Sequence, residues 1–178
     1  MTPAGSDPAS SPAKVSPLPA GIGRRWVSLI YEGFVLFALL LVAGFAALPL
    51  IGPPHTGPSY LALQLYLLPS ASSAFLFFYY VMVTGIYCIG FWSNGRRTVA
   101  MKTWGLALVS DKGRPVDIRR ATKRYLAAWI GPTAGLVGFY AFGSWGLAAG
   151  LLNHYWGWVD GNRQFLHDRI AGTKIIRR

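Results

Sequence analysis

This sequence contains few charged residues and only one cysteine. Only 13% of its 178 residues are charged, against roughly 25% in soluble domains, whereas aromatic residues reach 15%. The single cysteine, Cys88, excludes an internal disulfide. The three histidines are scattered, so we expect no metal site and no other cofactor. This composition predicts a protein embedded in a lipid bilayer.

Acidic residues are also scarce, and 17 Lys and Arg against 6 Asp and Glu give a formal charge of +11. Such a positive charge could bind nucleic acid, bind anionic lipid or set the orientation of the chain in the membrane. Its distribution favours topology, because residues 95–124 hold nine basic side chains whereas residues 51–72 hold no charged ones. The positive-inside rule then places the basic loop and the N terminus in the cytoplasm. We find no motif for binding nucleic acid.

Two long apolar runs follow a tail that cannot form a core. Residues 1–23 contain five prolines and few large apolar side chains, which predicts a disordered tail. Residues 26–50 are long enough to cross a hydrocarbon core of roughly 30 Å, and residues 73–92 form a second such run. A cleaved signal peptide is the alternative for the first run. Signal peptides, however, have shorter apolar regions of about 7–15 residues.

The apolar stretch from Tyr125 to Val159 is too long for one crossing and barely long enough for two. Breaks at Gly131-Pro132 and Gly143-Ser144 divide it, because proline lacks a backbone donor and glycine tolerates turns. A hairpin would also return the basic C terminus to the cytoplasm. We therefore predict an α-helical membrane domain over 24–178 with four membrane segments. The last two, about 124–140 and 143–159, are short or re-entrant.

The basic loop carries signals for a small cytoplasmic cap. Residues 103–109 and 114–118 flank a turn at Ser110–Gly113, which predicts a β-hairpin over about 103–118. Asp117 is placed to cap a helix that begins at Ile118. The alternating C-terminal tail could add a third strand to the hairpin.

The first two turns of that predicted helix are strongly basic. They could face anionic headgroups, a homo-oligomer or a membrane protein partner, at roughly 1 kcal/mol per charge near an anionic surface. Alternatively, these charges only hold the loop in the cytoplasm. The residues concerned are Arg119, Arg120, Lys123 and Arg124.

Glu32 is the only acidic residue in the first apolar run. It follows Arg25 by seven residues, or two helical turns, so both project from one face about 10.5 Å apart. A carboxylate inside a membrane segment is costly and usually faces the bundle interior. Glu32 is therefore either a functional group or a structural one that bonds to Tyr or Ser hydroxyls.

A compact charged cluster, His167-Asp168-Arg169, follows the last apolar segment. Asp168 could accept charge-assisted hydrogen bonds from an arginine such as Arg25. The cluster could equally be a solvated turn beside the membrane. Because no nucleophile is accompanied by a base and an orienting group, we expect no enzymatic activity.

Three separated stretches resemble the RDD family of bacterial membrane proteins. Residues 25–32, RWVSLIYE, resemble the opening R-L-x-A-x-x-Y-D of that family, and residues 95–104, GRRTVAMKTW, resemble its G-G-Q-T-L-G-M-R-A-W. Residues 160–173, ending in LHDRIAGT, are similar to its closing D-x-x-R-Q-x-L-H-D-R-L-A-G-T. The resemblance covers the chain from about residue 23 to 178.

The resemblance implies a functional set of Arg25, Glu32 and Asp168, supported by His167, Arg169 and Thr173. Glu32 departs from the family's Asp, and Arg96, Arg97 and Ala100 replace its Gly, Gln and Gly. Transport of unknown ligands has been suggested for the family, and some members are linked to sodium/proton antiport. The resemblance therefore implies a small inner-membrane transporter or ion-coupling protein whose N and C termini lie in the cytoplasm. The alternative from another class is a non-transporting scaffold or assembly subunit that docks through the basic cap.

Overall fold

A computed structural model describes residues 19–51, 70–161 and 164–178. Residues 1–18 of the predicted tail, and most of the stretch 51–72 that holds no charged side chains, lie outside these ranges. Within them, three helical units are long and apolar enough to cross a membrane: Ile22–Leu50, Ala74–Trp92 and Ile118–Val159. This confirms the expectation of a mostly helical protein with helices suited to a membrane.

The elements in chain order are seven α-helices, one 3₁₀ segment and two strands among the described residues. They are α1 (Ile22–Ile51), α2 (Ser70–Trp92), α3 (Val99–Thr103), β1 (Leu106–Ser110), α4 (Ile118–Ala128), α5 (Ile130–Phe142), the 3₁₀ segment Gly143–Leu151, α6 (Leu152–Val159), α7 (Leu166–Ala171) and β2 (Thr173–Arg177).

The third apolar unit folds back on itself between α5 and the 3₁₀ segment, at the break predicted between residues 124–140 and 143–159. The chain reverses at Gly143, which has a φ of 63°. Glycines of α5 then lie against glycines of the 3₁₀ segment, and a Cβ on Gly135 would lie 3.1 Å from the Gly150 Cα. Because glycine has no side chain, the two backbones can approach this closely.

The predicted β-hairpin over 103–118 is wrong in its second strand. β1 pairs with β2 in an antiparallel two-stranded sheet, with Leu108 opposite Ile175, and only an isolated bridge joins Val109 to Pro115. The C-terminal tail therefore pairs directly with β1. Residues before β1 form the short helix α3, whose N-cap Thr98 accepts a hydrogen bond from the Met101 amide.

Two local predictions agree with the structure. α4 begins at Ile118, and Asp117 caps it by accepting a hydrogen bond from the Arg120 amide. The predicted tail, in contrast, ends earlier than residue 23. Pro19 bridges to Ile176, and Ala20 is buried in a small core beneath the sheet with Leu108 and Ile175. Burial of these apolar groups orders the last residues of the predicted tail.

Candidate functional site

The functional candidates lie in two places, which we call the buried charge cluster and the Glu32 site. The buried charge cluster consists of Arg25, Arg124, Asn153, His167 and Asp168, all less than 9% exposed. The Glu32 site consists of Glu32, Tyr87 and Thr98. Both adjoin one cavity between the helices.

Asp168 is completely buried, and its direct partner is Arg124. The Arg124 Nε donates to Asp168 Oδ1 at 2.7 Å. The interpretation of the closing motif as a solvated turn is therefore wrong. Burial alone would raise the pKa of Asp168, but the Arg124 guanidinium, together with Arg25, holds it below its usual value.

His167 is held as a neutral imidazole by two partners. Arg124 Nη2 lies 3.3 Å from His167 Nε2, and because arginine can only donate, Nε2 is the acceptor. Nδ1 then carries the proton and donates to Asn153 Oδ1 at 3.2 Å. Burial lowers the pKa of His167 to about 3, partly opposed by Asp168 and reinforced by Arg124.

Asn153, on α6, connects the cluster to the C-terminal end of α4. Its Oδ1 also accepts from the His167 backbone amide at 3.0 Å, while its Nδ2 donates to the Ala128 carbonyl at 3.3 Å. The amide thereby supplies a donor to the C-terminal end of α4, where the last carbonyls of a helix have no intrahelical partner. Sequence reasoning missed this residue. Its signal was an amide in a stretch with almost no other polar side chain.

Arg25 is buried at the start of α1, where it joins that helix to the sheet. Its Nε donates to the Ala20 carbonyl and its Nη2 to the Ile175 carbonyl, both at 3.0 Å. It also lies near enough to Asp168 to lower the pKa of that carboxyl group. Arg25 and Asp168 thus belong to one cluster, although the arginine that pairs with Asp168 is Arg124.

The four residues of the predicted basic surface separate into two groups. Arg119 and Lys123 are exposed, whereas Arg120 donates to the Gly172 carbonyl at 3.1 Å. Arg124 is buried over the ring of Trp92, with its guanidinium carbon 4.2 Å from the ring centroid. The assignment of Arg124 to a lipid- or partner-facing surface is therefore wrong. Residues four apart share a helix face, and the face of Arg124 packs on α7.

The two remaining supporting residues lie beside the cluster. Arg169 is largely exposed and pairs with Asp160 at 2.6 Å. Thr173 is fully buried, and its hydroxyl donates to the Asp168 carbonyl at 3.3 Å. Between them, Gly172 adopts a left-handed conformation that ends α7 and begins β2.

Glu32 lies away from this cluster and is bound by hydroxyl groups. Tyr87 donates to its Oε1 at 2.7 Å, and Thr98 donates to its Oε2 at 2.5 Å. A Tyr hydroxyl was among the partners expected from the sequence, whereas Thr98 was not. Thr98 also caps α3, so the Glu32 carboxylate connects α1 to both α2 and α3.

A cavity of about 390 Å³ extends between the two sites. Arg25 and Glu32 line it from α1, Arg124 from α4, and His167 from α7. The rest of its wall is mostly apolar. Its volume falls within the range of small-molecule sites in proteins.

Apolar helices around a buried set of charges define a helical membrane protein with an internal polar site. The family model of the RDD family matches residues 19–172, so the chain belongs to the RDD family. No curated protein and no solved structure matches it.

Proposed function

We propose that this protein is a small transporter or ion-coupling protein of the bacterial inner membrane, with several crossings and both termini in the cytoplasm. The observation that carries the proposal is Glu32, an acidic residue in an apolar helix that lines the cavity. Ionisable groups at such positions commonly mark ion or substrate pathways. In this proposal the chain performs no covalent chemistry.

Glu32 holds the coupling ion, a proton or another cation. Both of its partners are neutral hydroxyls, which can rotate and can accept as well as donate hydrogen bonds. The carboxylate can therefore take up and release a cation without breaking an ion pair. The Arg124–Asp168 pair, with Arg25 beside it, closes the cytoplasmic end of the cavity.

The test is proton flux in liposomes that contain the purified protein and a pH-sensitive dye. An imposed sodium gradient is expected to drive flux in the wild type. Glu32→Gln is expected to reduce flux to the level of empty liposomes. The matched control, Glu32→Asp, keeps the charge and restores the family's usual residue, so it should keep measurable flux. Equal flux in Glu32→Gln and the wild type would contradict the proposal.

A second candidate, a scaffold or assembly subunit, is favoured by the exposed basic face of α4. Arg119 and Lys123 are exposed and, being four residues apart, share one helix face. This face would dock a membrane protein partner or anionic headgroups. Reversing both charges to Glu should release the partner in pull-downs from membranes. An unchanged set of co-purified proteins would count against this function.

A chain this short is expected to act as a homo-oligomer if it transports. Chemical crosslinking in native membranes should then trap a defined multimer. Only monomers after crosslinking would contradict this expectation.

A further inference from the structure

One charged donor at the polar end of the cavity is left over. Two nitrogens of the Arg124 guanidinium are used, Nε by Asp168 and Nη2 by His167. The third nitrogen, Nη1, is buried and has no hydrogen-bond partner among the described residues. The side chain is only 4% exposed and lines the cavity. A buried charged donor without an acceptor is unfavourable, so this atom indicates a missing partner.

The charges around this atom favour an anionic partner. Two arginines, Arg25 and Arg124, line the cavity at this end, whereas Asp168 is bound behind Arg124 and is not among the lining residues. Glu32, which also lines the cavity, follows Arg25 on α1 by two helical turns, about 10.5 Å. Two further buried polar atoms of this region, Nδ1 of the cavity-lining His154 and Oδ2 of Asp168, also have no hydrogen-bond partner among the described residues.

The rest of the cavity wall favours an apolar body on that anion. The apolar lining includes Leu29 and Leu36 of α1, Trp129 and Pro132 at the start of α5, and Phe165 beside His167. Apolar surface is buried favourably against such a wall, whereas a multiply charged ligand would find too few donors there. A ligand with one negative charge and an apolar body suits both the arginine end and the apolar wall of the cavity.

We infer that the cavity binds an amphiphilic carboxylate. The carboxylate group of this ligand accepts a hydrogen bond from Arg124 Nη1, and its apolar body lies between α1 and the start of α5. This inference names the substrate class of the proposed transporter and in that sense rests on it. Binding itself can be measured without transport. The carboxylate could come from the bilayer, as a fatty acid, or from water, as an aromatic acid.

The test uses quenching of tryptophan fluorescence by bromine, since Trp92 and Trp129 line the cavity. The full-length protein in lipid nanodiscs is titrated with 4-bromobenzoate from water and, separately, with 9,10-dibromostearate in the bilayer. Each probe is compared with its uncharged methyl ester. We expect saturable quenching by at least one acid, with half-saturation at a concentration at least tenfold lower than for its ester.

Two variant pairs locate the site. Ala128→Phe fills the cavity and should weaken binding at least tenfold, whereas Leu126→Phe, two residues earlier and 62% exposed, should not. Arg124→Lys keeps the charge opposite Asp168 but removes Nη1, and should also weaken binding. Its matched control is Arg119→Lys on the exposed face. If the Arg124→Lys variant fails to fold, the binding measured for folded Ala128→Phe still tests the site.

The outcomes separate the two claims. Saturable binding of the bilayer acid alone, the soluble acid alone or both supports the inference and identifies the source. Equal quenching by acids and esters, or unchanged binding in Ala128→Phe, overturns it. Binding without sodium-driven proton flux would leave this inference standing while the proposed coupling fails. Sodium-driven proton flux without acid binding would support the proposed coupling and overturn this inference.

Discussion

Asp168 and Glu32 are two acidic residues beside the same cavity, yet their surroundings differ. Asp168 is completely buried and forms an ion pair with Arg124 at 2.7 Å. Glu32 is partly buried and accepts hydrogen bonds only from neutral hydroxyls in the interactions described. The first is stabilised in its charged form by a fixed cation. The second can change its charge without leaving an unpaired cation behind.

This difference assigns the two residues different roles in our proposal. Removing one member of a buried ion pair leaves a buried charge without compensation, so Asp168 should matter first for folding. Removing the charge of Glu32 leaves only neutral groups, so Glu32 should matter first for activity.

The largest expected effect is on stability, from Arg124→Gln or Asp168→Asn. Each should lower the free energy of unfolding by about 3–5 kcal/mol, because each leaves a buried charge unpaired. Thermal or denaturant unfolding in a mild detergent would measure this loss. Arg119→Gln removes the same charge from the exposed face of the same helix and should change stability by no more than about 0.5 kcal/mol. Similar losses at Arg119 and Arg124 would contradict the contrast.

The second effect is a dependence of stability on pH. The pKa of His167 is lowered to about 3 in the folded protein, whereas an unfolded histidine titrates near 6.5. Between these values the unfolded chain binds more protons, so stability falls as the pH falls. The expected slope from this residue is about 1.4 kcal/mol per pH unit.

Replacing His167 by Gln isolates that slope from other titrating groups. The difference between variant and wild type should shrink steadily as the pH is lowered from 6.5 to about 4. Asp168 adds its own loss below its unfolded pKa of about 3.9, because its folded pKa is also lowered. Parallel stability curves for the two proteins would show that His167 is not held neutral.

A smaller effect on stability is expected from Glu32→Gln. It should cost about 1 kcal/mol, because the amide can still hydrogen bond to the Tyr87 and Thr98 hydroxyls. Unfolding in detergent, run in parallel with Asp168→Asn, would measure the difference. A loss as large as that of Asp168→Asn would show that Glu32 is structural too.

The smallest expected effect on stability comes from reversing both exposed charges, Arg119→Glu with Lys123→Glu. Stability should change by no more than about 0.5 kcal/mol per residue. Binding to anionic liposomes should nevertheless weaken, because each basic residue near an anionic surface contributes about 1 kcal/mol. Sedimentation with liposomes of increasing anionic lipid content measures it. Equal binding at every lipid composition would show that this face does not contact the membrane surface.

Much of the local structure was predictable from sequence. Apolar run length located α1 and α2, and the capping side chain of Asp117 located the start of α4. The breaks at Gly131-Pro132 and Gly143 indicated that the third apolar unit is interrupted, and the chain reverses at Gly143. These signals depend on neighbours a few residues apart, which is the range that sequence patterns report.

The pairings were harder to predict. The turn at Ser110–Gly113 suggested that β1 pairs with the residues after it, but β1 pairs with the C-terminal β2. An arginine was expected to pair with Asp168, with Arg25 as the example, while Arg124 makes the contact. Both errors have one origin: a strand edge or a carboxylate can accept several partners of the same chemistry, and only three-dimensional packing selects among them.

By itself the sequence determined that this is a helical membrane protein of the RDD family. It also singled out Arg25, Glu32 and Asp168 as candidate functional residues. Only the tertiary structure decided which charges share a site. It buried Arg124 on Asp168 and left Arg119 exposed, although both lie on the same short helix. The physical reason is that a buried charge without a partner is very costly, so an arginine can be buried only where a partner is fixed in place, and for Arg124 that partner lies 44 residues away in the chain.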